Sequence, residues 1–126
     1  LGPFAVMNLV GLPVMAAASR NLSVLGRGYQ ASTALQQRST QSEPEWIIGE
    51  STKCQPAIQL EVKDRLLGAM IYPGKDIQEQ NLCSRDDLHV ICIEALGYGK
   101  SSVEQLESLE PREVDRLISI YLGGQE

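Results

Sequence analysis

Cys54, Cys83, His89 and Cys92 are the residues of this 126-residue chain best suited to hold a metal, because thiolates and an imidazole together make tetrahedral zinc sites. His89 and Cys92 stand three positions apart and would share one face of a helix. The C-x5-H-x2-C spacing is not one that zinc modules use, however, and no C-x2-C pair anchors it. An odd number of cysteines also speaks against a disulfide-stapled secreted domain and for a reducing compartment. The expected state is therefore cysteine as a small buried hydrophobe, with no metal bound.

Two other stretches invite a chemical reading. "GYGKSS" (Gly97–Ser102) carries the Gly-Lys-Ser end of a phosphate-binding loop. That loop needs a second glycine five residues before Gly99, so that backbone amides can wrap the phosphates. Glu94 occupies the position, and its carboxylate would repel them. A helix-stopping glycine followed by a serine N-cap is the better reading. Asp86, Asp87 and His89 are neighbours as well, so a carboxylate could orient the imidazole, but no nucleophile follows by spacing. Adjacent acids ahead of an apolar run serve more often as a helix cap and dipole complement. No catalytic, cofactor-binding or metal residue is expected, and the chain is not read as an enzyme.

The elements that would position these residues are helical. Ser101 and Glu104 form a capping-box signature, opening a short helix with Val103, Leu106 and Leu109 inward. Pro111 starts a second helix, in which Val114, Leu117, Ile118, Tyr121 and Leu122 keep a single face until Gly123-Gly124. Pro56 suits the first turn of another helix. There Ile58, Val62, Leu66 and Ala69/Met70 recur at helical spacing, widened by Leu60 and Leu67, and Pro73-Gly74 ends it. The alternation in "AIQLEVK" leaves a strand open for its first half, and "KDIQEQNLCSR" suits a short helical turn. Asp86 or Asp87 would cap a buried helix running to Gly97. The expected fold is mainly α: about four short helices over residues 56–126, preceded by an extended leader (1–42) and a linker (43–55). Within the linker, Trp46-Ile47-Ile48 is the only apolar cluster, placed to dock on the following domain or to form a short edge strand.

Charge divides the chain in the same place. No acid precedes Glu43, and the three basic residues before it are Arg20, Arg27 and Arg38. Residues 43–126 hold 8 Lys and Arg against 16 Asp and Glu, so a +3 leader precedes a −8 body. An acidic body with 5% aromatic residues is ill suited to phosphate neutralisation or base stacking, which excludes nucleic acid as the expected partner. The Arg- and Ser-rich, acid-free leader fits a mitochondrial transit segment. In a helix, Ala18, Leu22 and Leu25 would oppose Arg20 and Arg27. "RGYQAS" resembles mitochondrial processing sites, which would place a cut near Tyr29 or Gln30. A secretory signal and a membrane span compete for the uncharged residues 1–19, but Pro3, Pro13 and Asn8 interrupt the run and no basic residue leads it.

The order of "EVKDRLLGAM", "DDLHVICIEALGYG", "SSVEQLESL" and "EPREVDRLISIYL" is similar to the helices of mitochondrial acyl carrier proteins. The resemblance spans most of residues 58–122, with gaps, and implies a small acidic helical carrier fold. The family's Asp-Ser-Leu would fall on Asp86-Asp87-Leu88, where aspartate cannot accept phosphopantetheine. The expected function is a non-catalytic accessory or assembly subunit of a larger mitochondrial complex, a respiratory-chain complex being one such assembly. It would act through protein–protein contacts, located in the matrix or on the inner membrane, with a membrane contact through residues 1–19 as a further expectation. The alternative is an acyl-carrier-like or ligand-binding helical module without the usual phosphopantetheine serine.

Overall fold

Four of the six prolines open helices, where the missing N–H costs nothing because no carbonyl of the helix could receive it. A computed structural model describes residues 2–30, 32–49 and 53–123. Among the described residues there are seven α-helices and no strand: α1 (Pro3–Val10), α2 (Leu12–Leu22), α3 (Thr33–Ser39), α4 (Pro56–Glu79), α5 (Arg85–Val90), α6 (Ser102–Ser108) and α7 (Pro111–Gly123). The mainly helical class thus agrees with expectation. Residues 56–123 hold four of the α-helices, as expected, but α4 is not short, and the leader adds three more because it is helical rather than extended. The chain divides into two compact units, residues 1–53 and 54–124.

In the first unit Gly11 links α1 to α2 with φ 95°, a left-handed conformation that a side chain disfavours. Two 3₁₀ turns, Ser23–Leu25 and Arg27–Tyr29, lead on to α3, which Ser32 caps. Leu12, Ala16 and Leu35 form the buried core, with Met7, Met15 and Trp46 packed around it. Asn8 fastens the far end of the unit. Its amide donates to the Trp46 carbonyl (2.8 Å) and accepts from the Trp46 N–H (2.7 Å), imitating a backbone ladder. The Phe4 ring meets the Trp46 indole edge-on at 5.4 Å. Trp46, expected on the following domain or in an edge strand, is therefore a packing residue of the first unit.

In the second unit α4 is a 24-residue helix that passes through Pro73, which was expected to end it. An interior proline costs roughly 3 kcal/mol. Burial of Ile71 and Gly74 on either side of it supplies the tertiary packing that offsets this cost. No strand forms over 57–63. The buried face of α4 is also not the one its apolar periodicity indicates. Gly68, Ile71 and Gly74 are buried, whereas Ile58, Leu60, Val62 and Leu66 are exposed.

The two glycines explain the choice. A Cβ on Gly68 would stand 2.3 Å from the Leu117 carbonyl oxygen and 2.8 Å from Tyr121 Cβ. One on Gly74 would stand 2.5 Å from Ser102 Oγ. Only this strip of α4 lets α7 and α6 approach so closely. Ile71, Val114 and Leu117 seal the α4–α7 contact, flanked by Leu67, Met70, Leu106, Leu109 and Ile118. Leu88, Cys92 and Val103 seal the α5–α6 side, with Ile77 and Cys83 against them. α7 has 13 residues, about 20 Å of helix against about 36 Å for α4, so it covers only part of the longer helix.

Ser84, rather than Asp86 or Asp87, caps α5; its hydroxyl accepts from Asp87 N–H and donates to the Asp87 carboxylate at 2.6 Å. After Val90 the helix widens into a π-helical segment, Ile91–Ala95. Gly97, at φ 66°, stops it, as expected.

Gly68→Ala should lower the unfolding free energy by about 1–3 kcal/mol, although alanine is the better helix former. Gly99→Ala, where a Cβ meets nothing within 4 Å, is the matched control and should be close to neutral. Urea denaturation of the two variants checks both.

Candidate functional site

The face of α4 that α7 leaves uncovered forms one wall of an apolar groove of about 650 Å³. Val62, Leu66, Leu67 and Met70 line it from the helix, and Tyr98 closes the other side. Tyr98 reaches this position because the chain leaves the π-helical segment at Gly97. Its N–H reaches back to the Cys92 carbonyl (2.9 Å), one residue further than a glycine-capped α-helix end spans. A second hollow of about 160 Å³ shares Met70 and Tyr98 and continues the apolar surface past Pro73 to Ile91 and Leu96.

Polar groups mark the mouth of the groove. Cys54 is exposed there, and its carbonyl accepts from the Gln59 amide at 2.9 Å. Lys63 also lines the mouth and forms no ion pair among the described residues. The opposite flank of α4 is tied down by charge. Arg116 of α7 donates to Asp64 (2.8 Å) and to Glu113 (2.6 Å), and these two acceptors raise its pKa further above its ordinary value. Arg116 holds the Glu113 carboxyl below its own ordinary value in return. The groove is thus an apolar channel between a fixed ionic flank and a free lysine. It offers dry surface for aliphatic or aromatic groups, with the Cys54 and Lys63 side chains at its edge.

The residues with chemical potential serve the fold instead. His89 Nδ1 lies 3.0 Å from Ser101 Oγ and 3.7 Å from Glu104 Oε2. A relay would need the serine and the acid on different ring nitrogens. Here both meet the same nitrogen, and Ser101 is completely buried. The arrangement is a helix cap. Ser101 Oγ accepts from Glu104 N–H (3.2 Å), and Glu104 Oε2 accepts from Ser101 N–H (2.8 Å), which completes the capping box. The "GYGKSS" stretch is accordingly a helix stop and a cap, with Lys100 donating to Ser108 Oγ at 2.8 Å.

The structure distributes the candidate metal ligands. Cys92 is buried with its sulfur 3.5 Å from Ser102 Oγ, Cys83 is half-buried on the same cluster, and Cys54 lies at the groove mouth. Among the described residues no three His, Cys, Asp or Glu side chains gather as a metal site. Asp86 and Asp87 fall in the first turn of α5, where they complement the helix dipole. The groove was not foreseen. Gly68 and Gly74 carried the signal, since isolated glycines in a helical pattern mark close packing and so the face that is not free.

The chain matches no protein-family model, and no curated protein or solved structure is significantly similar to it.

The Ser101 backbone N–H and hydroxyl hold the Glu104 carboxyl below its ordinary value of 4.5, helped by His89 and Lys100. A carboxylate whose folded pKa is depressed adds stability above its unfolded value, and that stability is lost as pH falls through the folded value. Glu104→Ala should therefore be less stable than the parent chain at neutral pH. The difference should shrink through the region below pH 4.5 and close in stronger acid. Denaturation midpoints measured across that range check it.

Proposed function

We propose that this chain is a non-catalytic accessory or assembly subunit of a larger mitochondrial complex, with respiratory-chain complexes the first to examine, and that it acts through apolar protein contacts. The observation that carries the reading is the second face of α4. A helix that uses one strip for its own core and leaves Ile58, Val62 and Leu66 in water supplies half of an interface. A groove of about 650 Å³ beside that face would take the apolar side chains of a partner helix laid along it. The body's charge of −8 over residues 43–126 suits a basic protein partner. The mitochondrial part of the proposal rests on the acid-free, Arg- and Ser-rich residues 15–42.

A second reading rests on the same volume, which lies in the range of small-molecule pockets of about 300–1,000 Å³. In that reading the helical module holds an aliphatic ligand in the manner of a carrier, without a phosphopantetheine serine at Asp87.

Gentle extraction followed by native sizing separates the two. An assembly subunit co-migrates with a much larger complex, whereas a free monomer overturns the proposal. Leu66→Asp places a charge on a residue that is 66% exposed, so the fold should persist while co-migration is lost. A reporter fused to residues 1–42 should enter mitochondria; diffuse or secreted signal would remove the location from the proposal.

A further inference from the structure

The first unit has too small a core for its length. Among the described residues Leu12, Ala16 and Leu35 are its buried hydrophobic residues, while Phe4, Val6, Leu9, Val10, Val14, Leu22, Val24 and Leu25 all lie exposed. Three buried side chains offset only a small part of the entropy lost in ordering some forty residues. An ordered unit of this kind needs an external apolar phase.

The exposed residues are arranged to meet one. Val6, Leu9 and Val10 follow i, i+3, i+4 along α1, on the side away from Met7 and Asn8, which face Trp46 and the core. Val14, Ala18 and Leu22 follow i, i+4, i+8 along α2, opposite Leu12 and Ala16. Val24 and Leu25, in the next turn, lead directly to Arg27.

Charge selects the phase. The acids of the unit, Glu43 and Glu45, lie at its C-terminal end, away in sequence from α1 and α2, and none of Arg20, Arg27 and Arg38 takes part in an ion pair among the described residues. Among the described residues Arg20 and Arg38 bond neutral groups, namely Gln36, Gln41 and the Glu45 carbonyl. Length fixes the mode of contact. α1 and α2 contain 8 and 11 residues, about 12 and 16 Å of helix, against about 30 Å of bilayer hydrocarbon. Pro3–Val10 and Leu12–Leu25 together have the length and composition of a broken span or re-entrant loop, but they are bent by 100° at Gly11, and no single described helix is long and apolar enough to cross a membrane.

We infer that residues 2–49 form a unit that docks on an anionic lipid surface without spanning it, with the outward residues of α1 and α2 sunk among the acyl chains and the arginines at the headgroups. The fold couples the two ends of this unit. Asn8 and Phe4 cover Trp46, so a cut near Tyr29 would uncover Trp46 and Leu35, and the docked form is the uncut chain. The inference goes beyond the α4 groove and does not depend on it.

Vesicles of phosphatidylcholine, with and without phosphatidylglycerol, test it by co-sedimentation of the full chain. Binding should require phosphatidylglycerol, fall with added salt, and be released by alkaline carbonate. Leu9→Asp, at a residue 79% exposed, should weaken it by about tenfold or more, with helicity of the free protein unchanged. Arg20→Gln and Arg27→Gln should each weaken it about fivefold. Leu66→Asp, in the groove, should leave it intact, so the lipid contact and the proposed protein contact fail separately. Equal binding to neutral vesicles, no binding, resistance to carbonate, or indifference to Leu9→Asp would each overturn the inference; capture by a protein in the absence of lipid would assign the face to that partner instead.

Discussion

A Cβ at position 68 would stand 2.3 Å from the Leu117 carbonyl oxygen, so α4 and α7 meet there with a hydrogen atom where other residues carry a side chain. That approach brings Leu117 and Val114 down onto Ile71 and shuts water out of all three. Six residues on, Gly74 admits Ser102 in the same way, which seats the start of α6 against α4. With α6 fixed, Val103 closes over Leu88 and Cys92, and the Ser101–Glu104 cap lies beside His89. The rotation of α4 is then no longer free. Its glycine strip points inward, and the larger residues of the first three turns point into solvent.

This is why sequence periodicity located α4 but misjudged its inner face. Ile58, Val62 and Leu66 keep helical time as well as any core residues, and burial of large side chains is the usual rule. The rule fails where close backbone approach outweighs side-chain area, because dispersion contacts between two helix backbones need a gap no wider than a hydrogen atom. Pro73 misleads for a related reason: its local preference is to end the helix, and tertiary packing on both sides overrides it. Most features governed by neighbours in sequence read correctly, the cap of α5 on Ser84 rather than Asp86 or Asp87 being the exception. Pro111 starts α7, Ser101 caps α6 with Glu104 returning the bond, and Gly97 stops the helix before it. Trp46 was beyond such reading, since its partners Asn8 and Phe4 lie 38 and 42 residues earlier and carry no spacing that points to it.

The two units obey opposite chemical regimes. In residues 54–123 several acids and bases pair with one another, as in Arg85 with Glu107 and Arg116 with Asp64 and Glu113, and Ser101, Glu104 and His89 meet at a helix cap. In residues 2–49 the acids are confined to Glu43 and Glu45, and among the described residues the Arg20 and Arg38 guanidinium groups turn to neutral acceptors. A surface that is apolar and cationic and one that is apolar and acidic have different natural partners, and a single chain carries both.

The segment Ile91–Ala95 holds one residue more than an α-helix of the same length would use, and the Leu96 N–H accordingly bonds the Ile91 carbonyl five positions back. In terms of indels, the segment is a spare residue stored inside a helix. Losing any one of the five would tighten the turn to ordinary α geometry with its hydrogen bonds renewed rather than broken. The spare residue also shows in the helix stop, where the Tyr98 N–H spans six positions to the Cys92 carbonyl; one residue fewer would leave the five of an ordinary glycine-capped end. The π-helical turn is thus the place where this part of the chain could lose a residue with least disturbance to the helix around it.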